Sequence, residues 1–221
     1  MPLKLTKPIL YLITAGLTSE NSTPESKDFQ NTLELVSAAV DARISLVQLR
    51  EKRLNALRLF ELAKRAAQIT RGSATRVLVN DRSDIAAAAG ADGVHLTTRS
   101  VEPGIIRDCF GENFLIGCST HSLSEAVAAR DGGADFVVFG PIFQTDSKAQ
   151  YGSPIGVDVL KETTKEMALY PIVALGGIST LNARECLSAG ASGIAGIGLF
   201  SNPSTLQQTV DTILSEAERS A

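Results

Sequence analysis

The chain has 221 residues, 44% of them hydrophobic and 20% charged, with a formal net charge of −3. That length can bury the core of one large domain. Mild acidity, no tryptophan and 5% aromatics exclude the basic, aromatic-studded surface of a nucleic-acid binder. No apolar run approaches the ~18 residues that suggest a membrane span.

The opening MPLKLTKPILYLITAG has a short apolar stretch, but Pro8 and the missing polar cleavage region argue against a secretion signal. Cys109, Cys118 and Cys186 show no paired spacing, which reads as reduced thiols and a cytoplasmic protein. Structural zinc is not expected, because neither His95 nor His121 sits near a cysteine pair.

Short β-branched apolar runs recur along the chain, each followed by a longer helix-like stretch. Strands are predicted at 9–14, 45–50, 76–80, 93–96, 114–119, 135–140, 171–176 and 193–198. Segments 59–70 and 122–134 carry helical spacing, and a last helix over 203–218 places Leu206, Val210 and Leu214 on one face. Eight strand–helix units of roughly 28 residues each fit a (β/α)8 barrel, an α/β fold, as a single domain over 1–221. An open doubly wound sheet would call for a glycine-rich dinucleotide turn after the first strand, and ITAGLTSEN matches that poorly.

Active sites of such barrels occupy the carboxyl ends of the strands. After strand two, Gln48-Leu49-Arg50-Glu51-Lys52 alternates, so Gln48 and Arg50 share a face directed into the mouth. An inward Arg is costly unless it meets an anion, and its planar fork suits phosphate oxygens. After strand three, Asp81 either caps a helix beginning at Ser83 or supplies oxygen to Mg²⁺; spacing leaves the two equal. Connection 141–156 is long for a compact barrel, and Thr145, Ser147 and Lys148 could donate to a diphosphate. Glycines after strands seven and eight, at Gly176-Gly177 and Gly196 to Gly198, either shape tight turns or admit a phosphate to backbone N–H groups. Ser179 or Thr180 could cap the helix that follows. Both histidines are read as structural, and Cys118 as core.

QLREK at 48–52, VNDRSDIAAAAGADGVHL at 79–96, STH at 119–121, GPIFQTDSK at 140–148 and the pairing of IVALGGIS with GASGIAGIG resemble the thiamine phosphate synthase family, which also contains the thiazole tautomerase. The resemblance runs from about residue 9 to residue 201. It implies condensation of a hydroxymethylpyrimidine diphosphate with a hydroxyethylthiazole phosphate, with Mg²⁺ and cationic groups stabilising departing pyrophosphate. On that resemblance Gln48, Arg50, Lys52 and Asn80 bind the diphosphate substrate and Asp81 holds Mg²⁺. Ser119 and Lys148 contact the pyrophosphate, and Thr145 and Ser147 the thiazole phosphate. Gly177, Ile197 and Gly198 supply phosphate-binding amides. Arg50, Lys52 and Lys148 are the catalytic cations.

Three positions depart from the family patterns. Ser100 stands where the synthase has its second Mg²⁺-binding Asp, with Arg99 beside it. Gly198 replaces a Ser, and Pro141 replaces the tautomerase His. The set Gln48, Lys52, Asn80 and Asp81 favours the synthase. A tautomerase, with His121 as its acid–base group, and a non-catalytic thiamine-phosphate binder are the alternatives. Phosphorylated small molecules are the expected partners, not nucleic acid or membrane. A homo-oligomer is also expected, with the exposed face of 203–218 as one contact.

Overall fold

A computed structural model describes residues 7–145 and 153–218. Eight parallel strands close into a barrel in sequence order: β1 (Ile9–Ile13), β2 (Leu46–Leu49), β3 (Arg76–Asn80), β4 (Gly93–Leu96), β5 (Leu115–Thr120), β6 (Phe136–Phe139), β7 (Ile172–Leu175) and β8 (Gly193–Gly196). Between and after them lie α1 (Lys27–Asp41), α2 (Ala56–Thr70), α3 (Ser83–Ala89), α4 (Pro103–Phe110), α5 (Leu123–Asp131), α6 (Val157–Glu166), α7 (Ala183–Ser188) and α8 (Leu206–Glu218). The barrel expected from the eight apolar runs is therefore present. Nearly every strand residue is buried, because side chains on one face fill the barrel and those on the other meet the helices.

Register sorts the two faces. Tyr11 pairs with Leu46, Ile13 with Gln48, Gln48 with Leu78, Asn80 with His95 and His95 with Gly117. Tyr11, Ile13, Leu46 and Leu78 belong with Leu115, Phe136 and Val173 to an interior cluster, so Gln48, Asn80, His95 and Ser119 also point inward. On β2, β3 and β5 the inward residues change from Leu46, Leu78 and Leu115 to the polar Gln48, Asn80 and Ser119 toward the carboxyl end. Gly117 makes this possible beside His95, since a Cβ there would lie 2.3 Å from Phe136 and 2.9 Å from His95 Nδ1.

At the opposite end, one turn recurs before each even strand. A left-handed residue (Arg43, Gly90, Gly133 or Gly190) follows the helix. The next amide then donates back to a helical carbonyl: Ile44 to Ala39, Ala91 to Ala86, Ala134 to Ala129 and Ala191 to Cys186. Asp92 and Asp135 extend the turn by accepting from Val77 N at 2.8 Å and Ile116 N at 2.7 Å on the preceding strands. This end is built for stability, and the polar chemistry is left to the other.

Helix starts are less regular. Asn55 caps α2 through Arg58 N (3.0 Å), and Ser122 caps α5 through Glu125 N (3.2 Å). The expected cap at Ser179 or Thr180 is corrected. Chain 179–182 forms a turn in which Ser179 N donates to Asn182 Oδ1 (2.8 Å), and α7 begins only at Ala183. The last helix likewise begins at Leu206 rather than 203, with Leu206 and Val210 buried as expected and Ile213 alongside them.

Candidate active site

The carboxyl end of β2 delivers three residues to three places. Gln48 is buried at the floor of the mouth, 2% exposed, and its amide nitrogen has no hydrogen-bond partner. Arg50 is half-buried and Lys52 exposed at the rim. Between them Glu51 is buried at 3% and turns away from the mouth. It accepts from Thr14 Oγ1 (2.6 Å), Gly16 N (3.2 Å), Thr18 N (3.1 Å) and Thr18 Oγ1 (2.6 Å). Glu51 thus ties the chain after β1 to the chain after β2, and Thr14 Oγ1 in turn accepts from Arg50 N (2.9 Å). That buried carboxylate reads in the sequence as one more member of a charge run.

Asp81 follows β3 in a left-handed conformation (φ 64), with its amide donating to His95 O (2.9 Å). The helix-cap alternative for Asp81 is overturned: Arg82 occupies the cap position and no side chain caps α3. Instead Asp81 Oδ1 accepts from Ser100 Oγ at 2.5 Å. Ser100 is itself set by a tight turn, its Oγ accepting from Thr97 N (2.8 Å) and its amide bonding to Thr97 O (3.1 Å). The β3 and β4 loops therefore meet at the Asp81–Ser100 pair.

Around this pair the charge is mostly positive. The Lys52 ammonium is held below its usual range, first by partial burial and then by the Arg50 and Arg99 guanidiniums, with Asp81 opposing. Among the described residues none of these three cations has an ion-pair partner. By contrast Arg82, beside Asp81 in the chain, is forked onto Asp84 at 2.8 and 2.6 Å. A cavity of about 210 Å³ opens here, lined by Lys52, Asn80 and Asp81. The larger cavity, about 680 Å³, lies between α1 and the chain after β8, and its lining holds neither Arg50, Lys52 nor Asn80.

Beneath the cations lies a neutral polar floor. His95 is 3% exposed; Tyr11 Oη is 3.1 Å from its Nδ1, and Ser119 Oγ 2.9 Å from its Nε2. Burial lowers the His95 pKa to about 3 and raises that of Tyr11, so both are neutral at ordinary pH. His95 is structural, as expected, but its contact with Ser119 joins it to the site. Strict period-two alternation on β1 and β4 points Tyr11 and His95 inward and could have revealed the pair. His121 sits exposed above β5, its Nδ1 bonded to the Gly140 carbonyl and its amide to Glu125 Oε2 (2.7 Å).

Across the mouth, Gly177 adopts φ 63, and a Cβ there would lie 2.4 Å from Gln144 O and 2.7 Å from Phe143 Cβ. Its glycine is demanded by the β6 loop, which also bonds to β7 through Ile142 N to Leu175 O (2.9 Å) and Phe143 N to Gly176 O (3.0 Å). Ile197 packs on the interior cluster, and Gly198 opens a 3-10 turn with space around it. Thr145 is half-buried at the end of 141–145; Ser147 and Lys148 lie outside the described residues. Cys118 and Cys186 are buried, with thiols pushed up to about 12, while Cys109 is exposed. Among the described residues no group of three or more His, Cys, Asp or Glu could hold a metal ion, so a cation would have to share Asp81 with a ligand. One carboxylate plus substrate phosphates is an accepted Mg²⁺ environment, and the donor set fits on those terms.

A (β/α)8 barrel with unpaired cations over a polar floor defines a phosphate-handling class of barrel. The family model described as thiamine monophosphate synthase matches residues 20–200, and the chain belongs to that family. The thiamine-phosphate synthase of Chlorobium phaeobacteroides is 38% identical over 195 residues, covering 88% of this chain and 89% of that one. A protein of Geobacter sulfurreducens is 47% identical over 166 residues, covering 75% of this chain and 78% of its own. Among solved structures, thiamine phosphate pyrophosphorylase from Pyrococcus furiosus aligns with a TM-score of 0.78 at 30% identity, covering 97% of this chain and 98% of that one.

Proposed function

We propose that the protein is a transferase that joins a hydroxymethylpyrimidine diphosphate to a hydroxyethylthiazole phosphate, forming thiamine phosphate and releasing pyrophosphate. The observation that carries this reading is the grouping of Arg50, Lys52 and Arg99 around Asp81, above the buried Gln48 amide. In the step itself the bond from the pyrimidine methylene to the diphosphate oxygen breaks, its electron pair leaving with pyrophosphate. The thiazole nitrogen supplies the pair for the new carbon–nitrogen bond. Negative charge grows on the leaving group, and the cations at the mouth stabilise that growth more than they stabilise the bound substrate.

Arg50 and Lys52 bear on the diphosphate, with Lys148 assigned beside them. Gln48 and Asn80 orient the substrate from the barrel interior, and Ser119 donates from the floor. Thr145 and Ser147, with the amides of Gly177, Ile197 and Gly198, take the thiazole phosphate. Asp81 and the Ser100 hydroxyl would hold Mg²⁺, which when bound supplies further positive charge to the departing pyrophosphate. The free cysteines accord with a cytoplasmic setting, no described helix is long and apolar enough to cross a membrane, and we expect copies of the chain to associate.

The deciding experiment supplies purified protein with both substrates, with and without Mg²⁺, and follows thiamine phosphate and pyrophosphate together. Equal amounts of the two products, dependent on both substrates, are expected. No thiamine phosphate under any of these conditions overturns the reading. Isomerisation of thiazole carboxylate phosphate without a pyrimidine substrate would replace it with the tautomerase.

A further inference from the structure

A line of polar groups crosses the floor of the mouth from β2 to β5. The Gln48 side-chain amide lies beside the Tyr11 hydroxyl, although its nitrogen completes no hydrogen bond of ordinary geometry. Tyr11 Oη is 3.1 Å from His95 Nδ1, and His95 Nε2 is 2.9 Å from Ser119 Oγ. Gln48, Tyr11 and His95 are at most 3% exposed, so no water from the mouth completes their bonding. Phe136 packs edge-on to Tyr11 at 5.7 Å between ring centroids and excludes an alternative partner on that side.

A neutral imidazole carries one N–H, and the line can therefore run in only two directions. If Nδ1 held the proton it would donate to Tyr11 Oη. The Tyr11 proton would then have no acceptor, since His95 is the one hydrogen-bond partner of that hydroxyl among the described residues. Run the other way, each proton of the Tyr11–His95 pair has an acceptor. Tyr11 O–H donates to Nδ1, and Nε2–H donates to Ser119 Oγ. The Ser119 proton is then released toward the mouth. A lone serine could turn either face to a ligand; accepting from Nε2–H occupies one lone pair of Ser119 Oγ and turns its O–H away from the ring, a donor that suits an anionic oxygen.

We infer that Tyr11, His95 and Ser119 form a one-way donor relay that fixes the Ser119 hydroxyl as a donor to a bound phosphate oxygen. Tyr11 and His95 are positioning residues in this scheme and touch no substrate. The inference deepens the proposed function, since it rests on an anionic group occupying the mouth.

The test begins without substrate. Only two histidines are present, so protein labelled with ¹⁵N-histidine gives two ring spin systems, and a His121→Asn variant assigns them. The relay requires His95 as the Nε2–H tautomer with unprotonated Nδ1; an Nδ1–H tautomer overturns it. Calorimetric titration with inorganic pyrophosphate then reads the outcome. Ser119→Ala should weaken binding about tenfold, the scale of a hydrogen bond to a charged group. Tyr11→Phe should weaken it by at least about threefold and allow the His95 proton to move, while His95→Gln, whose amide can donate from the Nε2 position, should recover part of the loss seen in His95→Ala. Unchanged binding in Tyr11→Phe overturns the relay. If that variant does not fold, the wild-type tautomer still decides. Failure of the relay leaves thiamine phosphate formation intact, whereas failure of the proposed function shows as an absent product with the tautomer as expected.

Discussion

Around the mouth, β2 to β4 present charged side chains on loops, of which those after β3 and β4 are joined by the Asp81–Ser100 hydrogen bond. Across the mouth, Gly176 and Gly177 pack against residues 141–144 so tightly that Gly177 has no room for a Cβ. The first side spends conformational freedom to bring cations to an anion that arrives and leaves. The second is rigid and offers amides fixed in place. An enzyme with one diphosphate to release and one phosphate to hold has use for both kinds of wall. The difference also decides what a mutation does: on the charged side it should cost chemistry, and on the glycine side it should cost folding.

The largest expected effect is Arg50→Gln. Removing a cation that meets growing negative charge should lower kcat 10²–10³-fold, about 3–4 kcal/mol in the barrier. Urea unfolding of the same variant should stay near wild type, because Arg50 has no ion-pair partner among the described residues. A large loss of stability with normal turnover would reverse the comparison. On the other wall, Gly177→Ala should destabilise the fold by about 3 kcal/mol, combining left-handed strain with overpacking against Gln144. The same change at Gly198, with nothing within 4 Å of an added Cβ, should move stability by no more than about 0.5 kcal/mol. Equal effects at the two glycines would show that the tight approach of the β6 loop does not set the rigidity of that wall.

The floor between the walls responds to acid. His95 has a folded-state pKa of about 3, below the value near 6.5 of an unfolded histidine. The folded state therefore binds fewer protons between those limits. Its stability is complete above about pH 6.5 and falls by up to about 1.4 kcal/mol per pH unit as the pH drops toward 3. Urea unfolding between pH 7 and 4.5 should accordingly be steeper in pH for wild type than for His95→Asn, by about 2.5 kcal/mol over the lower two units. Parallel curves would mean that the ring is not held neutral.

The barrel was legible because each strand is a short apolar run buried on both faces, and eight of them leave little choice of architecture. The cations were legible too, since alternation at the end of β2 separates Gln48 and Arg50 from Leu49. Glu51 was not, because the Thr14 and Thr18 hydroxyls that bury it lie over thirty residues away and nothing local distinguishes it from Lys52. Tyr11 and His95 are 84 residues apart, and only the closed register brings their rings together. Gly177 was legible as a glycine with a purpose. Its steric demand comes from the β6 loop, which sequence spacing does not place. Asp81 shows the same limit: the capping alternative falls only when Arg82 is seen at the cap position and Ser100 at the Asp81 carboxylate.

Arg82 gives the smallest effect and the sharpest control. It neighbours Asp81 in sequence, lines the same cavity as Lys52 and carries the same charge as Arg50. Its guanidinium is nevertheless committed to Asp84, and both side chains are largely exposed, at 43% and 64%. An exposed pair of this kind is worth about 0–1 kcal/mol, so Arg82→Ala should change unfolding by about 0.5 kcal/mol and kcat by less than twofold. What separates it from Arg50 is neither charge nor distance along the chain but the presence of a carboxylate partner. If Arg82→Ala instead matched the loss in Arg50→Gln, the ion pair would have to open during turnover, and the free cations of the charged wall would number one more than the structure assigns.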